Sequence, residues 1–410
     1  MNADLIIKSH HIISCQEGAP LEAVDGYIAV EGGRITACGR GEAPAGLLSP
    51  AARIMDVGDQ VVIPGLIDAH THLVHGGSRE NELALKLRGV SYMDILRSGG
   101  GILDTVARTR QASKEELKAK ARISLDQMLL HGTTTVEAKS GYGLDLETEI
   151  KCLEAARELN AEHAVDIIST YMGAHAMPQE FAADPEGYMR LMMEEVMPYV
   201  SRRQLAEFMD VFCEQGVFSP RQARVLMASG SSMGFKLKIH ADEMVPLQGA
   251  ELAAEMRAVS ADHLLAASET GLEAMQRAGV TAVLLPGTSF YLMLNRYADA
   301  RGMLDKGLRV ALASDYNPGS CPCENLQAIM TMACFGMRLP PVEILRGMTI
   351  NAAYAVDRSD DIGSIEAGKK ADLVIFKAPN WEYVVYHFGI NHVDKVIKNG
   401  RLAVDNGSLL

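Results

Sequence analysis

Two histidines stand two residues apart in His70-Thr71-His72, directly after an apolar run of the kind that forms buried strands. Residues i and i+2 of an extended strand point to the same side, so both imidazoles can face one ion. Alone, this spacing is equally compatible with two histidines that only make ordinary polar contacts. Further polar residues are needed to decide between the two interpretations.

Such residues occur where other apolar runs end. His240 ends one run and Asp315 follows another. Three imidazoles and one carboxylate suit zinc or iron, and a divalent metal lowers the pKa of bound water to about 7. The sequence therefore predicts a hydrolytic metal site with four ligands: His70, His72, His240 and Asp315.

Ligands on separate strands need a scaffold in which many strand ends meet. Apolar runs of strand length alternate with helical segments, as in parallel β/α units. Eight such units predict an α/β fold, a (β/α)8 TIM barrel, whose C-terminal strand ends form the active site. An open doubly wound sheet is the alternative, but no glycine-rich phosphate loop follows the first strand. The eight predicted strands are 66–72, 133–139, 166–171, 208–214, 235–240, 259–263, 281–285 and 310–314.

Both ends of the chain have the pattern of short strands separated by turns, and Asn399-Gly400 is a strong hairpin signal. Unpaired strands at both ends would leave exposed sheet edges. We therefore predict that residues 1–60 and 357–410 form one small β-sandwich-like domain, while residues 61–356 form the catalytic barrel. Within the barrel, serines are expected to cap three helices: Ser113, Ser219 and Ser268.

The composition argues against several partners. A net charge of −13 disfavours nucleic acid and anionic membrane surfaces, since both attract clusters of Lys and Arg. The N-terminus lacks a basic leader with an apolar core, and no apolar run reaches the roughly 18 residues of a spanning helix. We expect a cytoplasmic location. Seven scattered cysteines fit reduced thiols there, and Cys321-Pro322-Cys323 is expected to be structural rather than redox-active or metal-binding.

Two long stretches carry a family resemblance. Residues 62–72, ending in His70-Thr71-His72, resemble the metal-binding opening of the amidohydrolase superfamily, and residues 363–374 resemble its return into a small sheet domain. The resemblance covers nearly the whole chain. It implies a metal-dependent hydrolase built on a TIM barrel.

Five further stretches resemble one branch of that superfamily, which opens the ring of 4-imidazolone-5-propanoate to give N-formimidoyl-L-glutamate in histidine degradation. They are residues 139–144, 173–176, 240–243, 314–320 and 386–392. The resemblance implies a catalytic pair, Glu243 and His263, and a homodimer. One metal ion per chain is expected, with zinc or iron left open.

The expected chemistry gives these residues roles. Glu243 can accept a proton from the nucleophile and deliver it to the departing ring nitrogen. His263 can stabilise the negative charge that develops on the carbonyl oxygen. Asp315 can ligate the metal and also accept a proton, so the division of proton transfer between Glu243 and Asp315 stays open.

A small-molecule substrate with a carboxylate needs a cation, and Arg79, in the loop after the first strand, can grip a carboxylate with two donors. The resemblance adds ring contacts, and the residues after Asp315 are expected to bind the ring or the product amide. For Tyr142 and Asn317 a turn role beside glycine is the alternative. The six further expected substrate contacts are Tyr92, Tyr142, His175, Asn317, Gly319 and Ser320.

A second metal is not expected. Many amidohydrolases bridge two ions with a carboxylated lysine on the fourth strand, but residues 208–214 contain no lysine. Lys139, at the end of the second strand, is predicted to stay uncarboxylated and either to support the site or to face the substrate. Two alternative functions remain at this point. One is a deaminase of the same superfamily acting on a nucleobase-like ring, and the other is a binding or scaffold protein without catalysis.

Overall fold

Strands from both ends of the chain pair into one nine-stranded sheet in the computed structural model, which describes residues 3–90 and 100–410. A strand that precedes the barrel, β5, joins the two ends because it pairs in parallel with β1 and antiparallel with β14. The N-terminal strands are β1 (Ala3–Ile12), β2 (Val24–Glu31), β3 (Arg34–Arg40), β4 (Leu48–Asp56) and β5 (Val61–Pro64). The C-terminal strands, numbered after the eight of the barrel, are β14 (Leu373–Phe376), β15 (Val393–Lys398), β16 (Arg401–Asp405) and β17 (Ser408–Leu409).

The terminal sheet has an apolar core of its own, to which Ile7, Ile28, Val62 and Leu373 contribute. It includes β5, which the predicted boundary at residue 61 assigned to the barrel. The predicted hairpin lies between β15 and β16, where Asn399 and Gly400 have φ of 49° and 73°. Two successive positive φ angles are what a two-residue hairpin turn needs.

Eight parallel strands form the barrel, and each pairs with the next along the chain. This arrangement confirms the predicted fold class. The first and last strands end earlier than predicted, because the residues after them turn into the site. The strands are β6 (Leu66–Asp68), β7 (Thr133–Lys139), β8 (Asp166–Ala174), β9 (Phe208–Cys213), β10 (Lys236–Ala241), β11 (Ser260–His263), β12 (Thr281–Leu284) and β13 (Val310–Leu312).

The barrel closes just beyond the ends of β6 and β13. The amide of Asp315 donates to the carbonyl of His70 at 3.0 Å, and the amide of His72 donates to the carbonyl of Tyr316 at 2.8 Å. These backbone hydrogen bonds place Asp315, the last predicted ligand along the chain, beside His70 and His72, the first two.

Helices follow the barrel strands. Ser113, Ser219 and Ser268 accept hydrogen bonds from backbone amides three residues further on, as the predicted caps require. The α-helices of the described chain are Leu83–Leu87, Ile102–Gln111, Lys114–Leu130, Leu146–Glu162, Pro185–Leu191, Met197–Arg203, Pro220–Ser232, Gly249–Glu255, Glu269–Ala278, Pro286–Tyr291, Ala300–Asp305, Leu326–Gly336, Pro341–Gly347, Ile350–Ala355 and Trp381–Tyr386. Among the described residues, none of the helices has both the length and the apolar character to cross a membrane. All seven cysteines are described and free of disulfides.

A side-chain bond reinforces the closure of the barrel. Asp68, at the end of β6, accepts hydrogen bonds from the amide of Ser314 at 2.9 Å and from its hydroxyl at 2.5 Å. The same hydroxyl accepts from the amide of Tyr316 at 2.9 Å. Ser314 therefore ties the first strand to the segment that carries Asp315.

Replacing Ser314 by Ala should leave the Asp68 carboxylate and the Tyr316 amide each short of a buried partner. We expect Ser314→Ala to lower the free energy of unfolding by about 1–3 kcal/mol, as measured by urea denaturation. Ser232→Ala removes an exposed serine hydroxyl and is the control, with an expected change within about 0.5 kcal/mol. Equal effects of the two substitutions would contradict this account of barrel closure.

Candidate metal centre

His70 is oriented by a buried carboxylate. Its Nδ1 lies 2.6 Å from Asp262 Oδ2, and neither side chain is exposed. Because a carboxylate only accepts, Nδ1 carries the hydrogen and the lone pair is on Nε2. That Nε2 is buried, has no hydrogen-bond partner among the described residues, and lies 3.4 Å from Asp315 Oδ1.

His240, on β10, repeats this arrangement. Its Nδ1 lies 3.0 Å from Asp210 Oδ1, and its buried Nε2 also lacks a partner among the described residues. The His70 and His240 ring centroids are 4.5 Å apart. Histidine ligands commonly donate their second ring N–H to a carboxylate, which fixes the ring for the metal.

The donor atoms cluster closely enough for an ion. Those of His70, His72 and Asp315 lie within 4.8 Å of one another, and so do those of His70, His240 and His263. The four predicted ligands thus fall into two groups that share His70. Unpartnered buried imidazole nitrogens beside a carboxylate fit a bound metal, so these residues meet the requirement for one.

The protonation states agree with a ligand role. Burial lowers the pKa of His70, His72 and His240 well below the ordinary histidine value, so the imidazoles are in the neutral form that binds metal. Burial raises the pKa of Asp315 to about 7, although hydrogen bonds from Thr288 and Asn317 act in the opposite direction. A nearby cation favours the ionised carboxylate.

Left-handed backbone occurs at three of these strand ends. Asp242, His263 and Asp315 have φ of 50°, 75° and 56°, in the left-handed region that side chains with a Cβ rarely adopt. Conformations of this kind cost about 1–3 kcal/mol each and cluster at functional sites. Left-handed residues also occur elsewhere in the described chain, so this strain accompanies the site and is not unique to it.

The predicted catalytic pair is brought together. His263 Nδ1 lies 3.6 Å from Glu243 Oε1, and both side chains are largely buried. Burial, with Asp315 and Glu214 adding to it, raises the pKa of Glu243 to about 8. Burial lowers the pKa of His263 to about 4. Near neutral pH the pair therefore combines a carboxyl that can exchange a proton with a neutral imidazole.

The predicted ring contacts line one side of the cluster. His175 stacks on His72, with centroids 4.6 Å apart and an interplanar angle of 12°, and its Nδ1 lies 3.1 Å from the carbonyl of Gly141. The ring of Tyr142 is 5.2 Å from that of His175. Tyr92 lies outside the described residues.

Arg79 is buried and already paired. Its Nε and Nη2 donate to the two carboxylate oxygens of Glu82 at 3.0 and 2.9 Å. The two guanidinium donors that were predicted to bind a substrate carboxylate are thus already bonded to Glu82. A buried guanidinium needs such a counter-charge. Lys86 lies 3.5 Å from Glu82 and donates to the carbonyl of Gly319 at 2.7 Å. Arg79 and Lys86 are two cations and Glu82 is one carboxylate, so the corner formed by these three residues has one net positive charge.

The loop after Asp315 is locked by Asn317. Asn317 Oδ1 accepts from the amides of Gly319 and Ser320, both at 2.8 Å. Its Nδ2 donates to the carbonyl of Asp315 and to the hydroxyl of Ser320, both at 2.7 Å. Asn317 therefore has the turn role that the sequence left as an alternative. A substrate that accepts from the amides of Gly319 and Ser320 would have to replace the Asn317 side chain as their acceptor.

Sequence reasoning did not identify the two carboxylates that support the site. Asp210 and Asp262 hold the histidines that are predicted to be ligands, and Lys139 Nζ lies between the two carboxylates. Of the two predicted roles for Lys139, the contacts favour support of the site over contact with the substrate. The signal in the sequence is the presence of charged residues inside otherwise apolar barrel strands, as in Phe208-Met209-Asp210-Val211-Phe212.

Comparison with known proteins places this geometry in context. The sequence profile of the amidohydrolase family matches residues 61–220 and 273–403. The imidazolonepropionase of Treponema denticola is 59% identical over 389 residues, which cover 95% of this chain and 94% of that protein. The imidazolonepropionase of Alkaliphilus oremlandii is 56% identical, covering 94% of this chain and 92% of that protein.

Solved structures share the fold at lower identity. An adenosine deaminase from Xanthomonas campestris with bound zinc superposes with a TM-score of 0.75 at 19% identity, covering 100% of this chain and 94% of that one. A mutant atrazine chlorohydrolase from Arthrobacter aurescens, complexed with zinc and atraton, has the same TM-score and identity, with coverage of 99% and 96%. At this identity the likeness concerns the fold alone.

The raised pKa of Asp315 predicts how metal binding depends on pH. Below pH 7 the metal-free protein carries a proton on Asp315 that a metal must displace, so apparent metal affinity falls as pH drops through 7. Stabilisation by a ligand follows its affinity. We expect zinc to raise the melting temperature of the chelator-treated protein more at pH 8 than at pH 6, as measured by calorimetry at constant ionic strength. A shift that is equal at both pH values, or larger at pH 6, would show that Asp315 is not a ligand.

Proposed function

The chain belongs to the amidohydrolase family, and we propose that it acts as an imidazolonepropionase, a hydrolase that converts 4-imidazolone-5-propanoate to N-formimidoyl-L-glutamate in histidine degradation. The observation that carries the proposal is a cluster of buried imidazoles with unpartnered nitrogens beside the Glu243–His263 pair. The deaminase alternative rests on a shared fold, whereas relatives above half identity carry the ring-opening name.

One zinc or iron ion per chain is part of the proposal, held by His70, His72, His240 and Asp315. When bound, such an ion acts as a Lewis acid and makes hydroxide available from water near neutral pH. Local charge supports a cation: around His70 and His240, the buried carboxylates Asp210, Asp262, Glu137 and Asp315 outnumber the lysines Lys139 and Lys238.

Glu243 is the proposed proton carrier. Ring opening forms a bond between a water oxygen and the ring carbonyl carbon and breaks the bond from that carbon to the ring nitrogen. Glu243 takes the proton released by the water and gives it to the departing nitrogen. A carboxyl whose pKa is raised to about 8 by burial, Asp315 and Glu214 can perform both steps near neutral pH.

His263 is proposed to polarise the ring carbonyl. With a pKa lowered to about 4 by burial, its imidazole is neutral and donates a hydrogen bond without surrendering a proton to the carbonyl oxygen. Its ring is buried, and its Nδ1 lies 3.6 Å from Glu243 Oε1. A donor positioned in advance stabilises the developing oxyanion more than the ground state.

The substrate carboxylate is assigned to the corner formed by Arg79, Glu82 and Lys86. One net positive charge remains there after Glu82 is counted, which matches one propionate. A hypothetical Cβ on Gly319 would lie 2.2 Å from Arg79 Nη1, so glycine at this position lets the guanidinium approach the loop beside the metal ligands. A homodimeric assembly and a cytoplasmic location stay predictions.

The substrate assignment is tested by following the ultraviolet absorbance of 4-imidazolone-5-propanoate with purified protein of measured metal content. Guanine and cytosine serve as control substrates. We expect loss of the imidazolone absorbance and formation of N-formimidoyl-L-glutamate, with no change in either nucleobase. Turnover of a nucleobase alone would replace the proposed reaction with deamination.

The role of Glu243 predicts a specific kinetic defect. Glu243→Gln keeps the size of the side chain but removes the proton acceptor, so kcat should fall about 10²- to 10⁴-fold while metal content and KM change little. Glu251→Gln alters a partly buried carboxylate on the next helix, bonded to Ser268, and should leave kcat near its original value. A Glu243→Gln protein with its metal and normal turnover would remove Glu243 from the mechanism.

A further inference from the structure

Lys139 occupies the centre of a buried charged network. It ends β7, and its side chain has no exposed surface. Its Nζ donates to Asp210 Oδ2 at 2.7 Å and to Glu137 Oε1 at 2.9 Å, and it lies 3.3 Å from Asp262 Oδ2. One ammonium group thus touches three carboxylates from three different strands.

Two of those carboxylates are the ones that orient the predicted metal ligands. Asp210 holds His240, and the Asp262 oxygen near Lys139 is the same atom that holds His70. Contacts therefore run without a break from His240 through Asp210, Lys139 and Asp262 to His70. Ligand atoms of Asp210, His240 and Asp262 lie within 4.8 Å of one another.

Two carboxylates this close inside a protein repel strongly unless a cation lies between them. Lys139 Nζ is that cation, and its three hydrogens match the number of oxygens around it. Without it, Asp210 and Asp262 would move apart or take up a proton. Either change alters the hydrogen bonds at His70 Nδ1 and His240 Nδ1.

We infer that Lys139 is a positioning residue that holds Asp210 and Asp262 together, and so aligns His70 and His240 for the metal and sets the metal affinity. The inference rests on the proposed metal site. It concerns a residue outside the proposed sets of metal ligands and substrate contacts.

Lys238 provides a matched control. It is as deeply buried as Lys139 and lies in the same network, where its Nζ is 3.0 Å from Glu137 Oε2. Its hydrogen bonds go to the carbonyls of Ala69 and Ala355, at 3.3 and 3.1 Å. Among the described residues its ion pair is with Glu137, which accepts from no ligand histidine. Loss of Lys238 removes a buried charge of the same sign but leaves the cation between Asp210 and Asp262 in place.

The test compares the full-length variants Lys139→Met and Lys238→Met. The zinc affinity of each is measured in competition with a chelator. The visible spectrum of the cobalt-substituted protein reports the geometry of the metal ligands. We expect Lys139→Met to raise the zinc Kd about 10- to 100-fold and to change the cobalt spectrum. Lys238→Met should keep the wild-type spectrum and a Kd close to that of the wild type.

Wild-type affinity with an unchanged spectrum in Lys139→Met would overturn the inference while leaving the metal site standing. Equal losses in both variants would also overturn it, because the effect would then be general to buried charge. A wild-type protein that fails to bind zinc, cobalt or iron would instead overturn the proposed metal site, and the inference with it.

If Lys139→Met does not fold, the double variant Lys139→Met/Glu137→Gln removes one anion with the cation and restores the charge balance. Asp210 and Asp262 still lack a cation between them in this protein, so the same 10- to 100-fold loss of zinc affinity is expected. Recovery of wild-type affinity would show that net charge, and not the position of Lys139, matters.

Discussion

Two hydrogen bonds between buried groups, from His70 to Asp262 and from His240 to Asp210, are the constraint on which the rest of the site depends. Each bond places a hydrogen on Nδ1 and leaves a lone pair on Nε2. A buried carboxylate without a partner costs several kcal/mol, so these acceptors persist only with compensating cations. The lysine on β7 therefore belongs to the same constraint as the histidines.

The barrel provides this constraint through its register. His240 on β10 is the register partner of Asp262 on β11. A proposed ligand and a carboxylate that supports the site are therefore level with each other in the barrel. Closure beyond β6 and β13 then adds Asp315 beside His70 through backbone hydrogen bonds. Left-handed conformations at Asp315 and His263 show that the chain bends sharply after β13 and at the end of β11.

Much of this architecture could be predicted from periodicity and strand ends, because apolar runs, capping serines and the hairpin at Asn399-Gly400 are local signals. The first-strand histidines were found in the same way. The partners of those residues were not, because pairing between Lys139 and Asp262 joins positions more than a hundred residues apart. The pairing of Arg79 with Glu82 was missed for a different reason. An arginine near a predicted site is readily interpreted as a substrate contact, and the sequence does not show that its side chain is buried.

The central claim is that His70, His72, His240 and Asp315 hold one metal ion. Anomalous diffraction from crystals of the metal-loaded protein, recorded on both sides of the metal absorption edge, tests it most directly. The account predicts one peak per chain, bound by Nε2 of His70 and His240, by His72 and by Asp315, with Lys139 still between Asp210 and Asp262. A peak among Asp210, Asp262 and Glu137 with Lys139 displaced, or two peaks of equal height, would contradict it.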